Sequence, residues 1–230
     1  MRNKYVTKLI SSEEVGHGII SVTINNDKKK NALSEEIKIG MVDIAENISE
    51  NSEISVVILS GAKGNFSAGN DVTESSAFSK GKSLIEARRH NRLGLKMCNA
   101  WTNISPITIA SIEGVCIGGG LSLALSCDFR ICSHGALLWA PEVELGITYS
   151  WGSIPKLVAM VGPSRAKLIS LACKKLDSKT FFDWGLCEGV EEDPFDAALK
   201  MAKDLSKKPK VPQQMVKESI NRQYNIFNEF

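Results

Sequence analysis

Ile107-Thr108-Ile109-Ala110-Ser111-Ile112-Glu113-Gly114-Val115-Cys116-Ile117-Gly118-Gly119-Gly120-Leu121-Ser122-Leu123-Ala124-Leu125-Ser126 is the stretch on which the fold turns. Its first six residues are nearly all β-branched or apolar, as in a strand buried on both faces. Three glycines follow, and the apolar run from Leu121 to about Ser126 reads as a helix. Missing side chains at the head of a helix let a ligand approach the backbone while the first N–H groups have no intrahelical partner. Such an end favours negative charge. Taken alone, the glycines fit a tight turn with close packing better than a binding site.

Outward from this unit the same order recurs. Ile19 to Ile24 is a β-branched strand entering the polar run Asn25 to Lys30. Ser34 then precedes Glu35 and Glu36, a capping hydroxyl with acidic residues at the positive end of a helix. Ile37, Met41, Ile44, Ala45 and Ile48 keep the spacing of one buried helical face. Ile54 to Gly61 is a second buried strand, closed by the loop Phe66-Ser67-Ala68-Gly69-Asn70-Asp71, and a helix is expected from about Leu84 to Met97. Strand, loop and helix repeat, so the class is α/β. Beyond Pro163-Ser164 the periodicity is helical, with a final helix from about Gln213, giving a core over 1–162 and an appended helical region over 163–230.

Bulk properties narrow the function classes. The 230 residues are 43% hydrophobic, enough for a sizeable core, and 28 basic against 26 acidic residues leave a formal charge of +2. That balance gives no reason to expect nucleic acid or an anionic membrane as partner. The six cysteines form no CxxC pair and sit in apolar runs, so they read as reduced, buried thiols, and no metal-ligand spacing accompanies them. No long uncharged run suggests a secretory leader or membrane span, which makes the cytoplasm the expected location.

Chemistry concentrates in two loops. The FSAG-N-D loop and the triple glycine each follow a buried strand, and two converging amides there would form an oxyanion hole, stabilising an enolate by preorganised dipoles. Six segments in order extend this: Lys30-Asn31-Ala32-Leu33, Phe66 to Asp71, Ile112 to Gly120, Ser126-Cys127-Asp128-Phe129-Arg130, Pro141-Glu142-Val143-Glu144-Leu145-Gly146 and Trp184-Gly185-Leu186. Together they resemble the crotonase (enoyl-CoA hydratase/isomerase) superfamily.

The resemblance implies a crotonase-like spiral of ββα units with a C-terminal helical region, assembled as a homotrimer or dimer of trimers. Its substrate would be an acyl-CoA thioester, with coenzyme A part of the substrate and no permanently bound cofactor. By motif position the backbone N–H groups of Asn70 and Gly119 would hold the thioester oxygen. Lys30, Ala32, Ala68, Asp71 and Gly118 would lie along the CoA-binding side, although the lysines also read as a solvated turn. Hydratases of this superfamily use two glutamates; here the first position is Ser122 and the second is Glu142. Water addition leans on two acid/base groups, whereas a double-bond shift needs only one carboxylate to take a proton from one carbon and return it to another.

Glu142 is therefore the expected base of an enoyl-CoA isomerase. A hydratase tolerating Ser122 is the alternative, and a weakly catalytic CoA-binding or scaffold subunit is a third reading. Tyr149 and Trp151 stand where the family commonly has small residues; they either pack in the core or narrow the acyl pocket, with Tyr149 a possible proton donor. Trp139 is expected in the core, His90 on a solvated helix, and Glu144 is a weaker candidate than Glu142 because it is not at the family position. The helical region ending at Phe230 is shorter than is typical of the family.

Overall fold

The computed structural model describes residues 8–73 and 84–225, and the side chains of 84–91 and 224–225 lie outside that description. A six-stranded sheet runs in the order β1-β2-β3-β4-β6-β9, made of β1 (Ile10–Gly16), β2 (Ile19–Ile24), β3 (Val56–Gly61), β4 (Ile107–Ile112), β6 (Phe129–Ser133) and β9 (Gly189–Glu191). All neighbours are parallel except the edge hairpin β1–β2. A second sheet joins β5 (Val115–Ile117), β7 (Leu137–Trp139) and β8 (Leu176–Asp177).

Parallel strands need cover on both faces, and the alternation of side chains supplies it. Val57, Leu59, Ala110 and Ile112 point into the larger core with α1 (Glu35–Ser49) and α2 (Leu84–Asn103). Val56, Ile58, Ile107 and Ile109 point the other way, onto Ala198 and Ala202 of α6 (Pro194–Ser206). Every residue of β4 is buried. The helices start where the capping residues place them: Ser34 accepts the Ile37 N–H, and Asp193 accepts from Phe195 and Asp196 just before Pro194. Trp101, fully buried, donates its indole N–H to the Met41 carbonyl at 3.0 Å and ties α2 to α1.

Several boundaries differ from the sequence reading. Helix α3 spans Gly119–Ala124, because Gly118 at φ 52° acts as its N-cap and the next two glycines already turn helically. Helix α2 continues to Asn103, since Met97, Cys98 and Trp101 keep its buried face going for another turn. Helix α4 (Ser153–Ser170) breaks at Gly162, whose φ of 75° precedes Pro163, and the chain beyond still contributes β8, α5 (Ser178–Asp183) and β9 before α6 and α7 (Lys210–Asn225). No helix among the described residues is long and apolar enough to cross a membrane. All six cysteines are buried and free, and burial pushes Cys98 up to about 11.

Candidate active site

The two chemistry-bearing loops are locked to each other through backbone. Ser67 N–H donates to Val115 O and Ile117 N–H to Ser67 O, both at 2.9 Å, while Leu33 and Asn70 form a bridge on the other side. Close packing requires glycine at two points. A Cβ on Gly69, at φ 91°, would meet Ile117 O at 2.6 Å, and one on Gly120 would meet Ser67 O at 2.7 Å. Asn31, fully buried, fastens the neighbouring loop by donating to Ala62 O at 2.8 Å and Asn65 O at 2.6 Å.

This packing sets Asn70 and Gly119 on one cleft of about 400 Å³, also lined by Ala68, Gly118, Ser122, Glu142, Tyr149 and Trp151. Leu33 N–H bonds to Gly69 O and Asp71 N–H to Leu33 O, so the bridge bypasses the Asn70 N–H. The Gly119 N–H opens helix α3 and has no acceptor within the helix.

Glu142 is the one carboxylate on the cleft wall among the described residues. Its Oε1 stands where a Cβ on Gly118 would be only 2.7 Å away, so the left-handed glycine both turns the chain and makes room for the carboxyl group. Burial raises the Glu142 pKa to about 7, and Oε2 is buried without a hydrogen-bond partner. Ser122, 1% exposed, donates to Gly118 O at 3.3 Å. Tyr149 Oη faces the hydroxyls of Ser122 and Ser153, but the geometry completes no hydrogen bond, and Tyr149 Oη and Ser153 Oγ are both left unpartnered. Burial and the nearby Glu142 charge push the phenol pKa up, so Tyr149 is neutral and can only donate or accept a hydrogen bond.

The remaining expected residues divide between the cleft wall and positions off it. Tyr149 and Trp151 belong to the cleft wall, and Tyr149 is also part of the main core. Lys30 is exposed in a left-handed turn and its carbonyl accepts from Ala68 N–H at 2.9 Å, while Ala32 is buried beside it. Neither lines the cleft. Asp71 is bound at 2.7 Å to Lys29 and also holds Thr73; burial would raise its pKa, but these bonds outweigh burial and hold it below the usual carboxylate range. Glu144 is exposed and off the cleft. Trp139, half-buried, donates to Cys173 O at 2.8 Å on the far side of β7. The His90 side chain lies outside the described residues.

One residue escaped the sequence reading. Lys38, on the buried face of α1, donates to Asn70 Oδ1 at 2.8 Å and stands 5.8 Å from the Trp151 ring centroid. Its charge sits beside the loop that presents the first amide. A lysine spaced as a helical core residue, between Ile37 and Met41, was the available signal.

A family model described as enoyl-CoA hydratase/isomerase matches residues 14–229. The chain belongs to this family. As a crotonase-superfamily enzyme it is 33% identical over 204 residues to the short-chain-enoyl-CoA hydratase of Clostridium acetobutylicum, covering 87% of this chain and 77% of that protein. It is 30% identical to the peroxisomal Delta(3,5)-Delta(2,4)-dienoyl-CoA isomerase of Arabidopsis thaliana, over 81% of this chain and 70% of that one. The crystal structure of an enoyl-CoA hydratase from Bacillus anthracis superposes with a TM-score of 0.87 at 26% identity, covering 92% of this chain and 82% of that one. The α/β fold of this crotonase-superfamily chain is thus the crotonase fold.

Proposed function

We propose that this crotonase is an enoyl-CoA isomerase in which Glu142 moves a proton between two carbons of a 3-enoyl-CoA. The thioester oxygen accepts from the Asn70 and Gly119 amides. Glu142, as carboxylate, takes a C2 proton; the electron pair spreads into the dienolate, whose oxygen the amides and the helix end stabilise. The same carboxyl group returns the proton to C4, giving the conjugated 2-enoyl-CoA. Coenzyme A enters as part of the substrate, and the Lys30–Ala32 turn is proposed to lie along it.

The observation that carries this reading is the single cleft carboxylate among the described residues, half-buried and raised to about 7, on a wall that has Ser122 where a second glutamate would serve hydration. A pKa near neutrality suits a group that must both accept and return a proton. The hydratase reading has its own support, because Tyr149 on the cleft wall carries a buried, unpartnered hydroxyl that could orient a water against Glu142.

Absorbance of the conjugated enoyl thioester separates the readings. With 3-enoyl-CoA as substrate the wild type should create the band and Glu142→Gln should not. Loss of the band from 2-enoyl-CoA, with no rise from 3-enoyl-CoA, would replace isomerisation by hydration. CoA-thioester binding without either change, and indifferent to Glu142→Gln, would mean a binding subunit.

A further inference from the structure

Between the oxyanion glycine and the helix facing it there is room for one side chain, and Trp151 fills it. A Cβ on Gly119 would lie 2.2 Å from Trp151 Cζ3, and a Cβ on Gly94, in the middle of α2, would lie 2.0 Å from Trp151 Cε2. The six-membered ring of the indole is therefore clamped between α2 and α3. Gly152, at φ 78°, turns the chain directly after it, and a Cβ there would meet Leu95 Cδ1 at 3.2 Å. The Lys38 ammonium approaches the ring from α1. Held between two helices, the ring can move toward neither Gly94 nor Gly119 without displacing backbone.

The ring also belongs to the wall of the cleft lined by Asn70, Gly119 and Glu142. An acyl group whose carbonyl oxygen sits on the Gly119 N–H meets the indole if it extends along the gap between α2 and α3. Val72, Leu145 and Ile147, also on the cleft wall, are 75%, 63% and 47% exposed, so among the described residues they form open apolar surface and enclose no channel. We infer that Trp151 is a specificity-determining residue that closes the acyl end of the site and restricts the substrate to short-chain acyl thioesters. This inference rests on the CoA-thioester reading of the cleft and is independent of which reaction follows.

The test is equilibrium binding of free CoA and of butanoyl-, hexanoyl-, octanoyl- and decanoyl-CoA, by calorimetry, to the wild type, Trp151→Phe and Trp151→Ala. Saturated thioesters avoid turnover, so the result does not depend on isomerase or hydratase chemistry. For the wild type, affinity should peak at butanoyl or hexanoyl and fall about tenfold by octanoyl, because added methylenes would have to displace the clamped indole. In Trp151→Ala the octanoyl-to-butanoyl affinity ratio should rise on the order of 10- to 100-fold, with Trp151→Phe in between. Should Trp151→Ala fail to fold, the phenylalanine variant carries the same test at smaller amplitude. A wild type that binds more tightly as the chain lengthens, or a ratio that no variant moves, overturns the inference. If neither free CoA nor any thioester binds, the thioester reading itself falls, and this inference with it.

Discussion

Glu142 shows how a residue's surroundings rather than its identity define its role. Its pKa near 7 comes from burial, which disfavours the ionised form. Two outcomes follow. First, kcat/KM should rise with pH to a plateau with an apparent pKa close to 7, and Glu142→Gln should remove that limb together with roughly 10²–10⁴ of the rate. Second, the folded-state value exceeds the unfolded one, so this group's contribution to stability is present below the unfolded carboxyl pKa and is lost as pH rises toward 7. Glu142→Gln should therefore melt a few degrees higher than the wild type at pH 8, at ~2–4 °C for each kcal/mol, with the gap closing at pH 4–5; an unchanged gap across that range would contradict the burial argument. Glu142 was legible from its Pro-Glu motif, but its unpartnered oxygen was not, because that depends on what Gly118, Tyr149 and Ser153 leave around it in space.

At the scale of elements, the glycines divide by what their backbone must touch. On Gly120→Ala the added Cβ would sit 2.7 Å from a Ser67 carbonyl that is itself hydrogen-bonded to β5, so neither side can yield. The expected cost is about 1–3 kcal/mol, read from denaturant midpoints, with loss of activity as the two loops part. Gly135, in the turn before β7, has nothing within 4 Å of its Cβ position and no positive φ, so Gly135→Ala should be neutral or stabilise by up to ~1 kcal/mol. Equal penalties at the two positions would show that the loop packing is not what the triple glycine is for. Sequence alone marks both as glycine next to a strand. Only the partner segment, forty or more residues away, distinguishes a glycine that is required from one that is tolerated.

For the whole molecule, the motif segments far from the cleft turn out to be fasteners. Arg130, 2% exposed, donates to Leu186 O and Cys127 O at 2.7 Å, joining the Ser126–Arg130 and Trp184–Leu186 segments around β6 and β9. Asp128 accepts from Thr108 N–H at 2.8 Å and pairs at 2.8 Å with Lys217, which also donates to Pro106 O. One ion pair thus holds α7 to the end of β4. Lys217→Met, leaving a partly buried carboxylate uncompensated, should cost ~3 kcal/mol or more and raise protease sensitivity in α7 before the core unfolds. Cleavage appearing uniformly along the chain would refute that local role. The sequence by itself determined the α/β class, the buried strands, the capped start of α1, the superfamily and the position of its carboxylate, because these rest on residues close together in the chain or in a fixed order along it. Only the tertiary structure decided that Trp151 lies between Gly94 and Gly119, that Lys38 reaches Asn70, and that Asn70 and Gly119 share one cleft. Those contacts join segments whose separation in sequence carries no information about their distance, and packing at interior density is what brings them together.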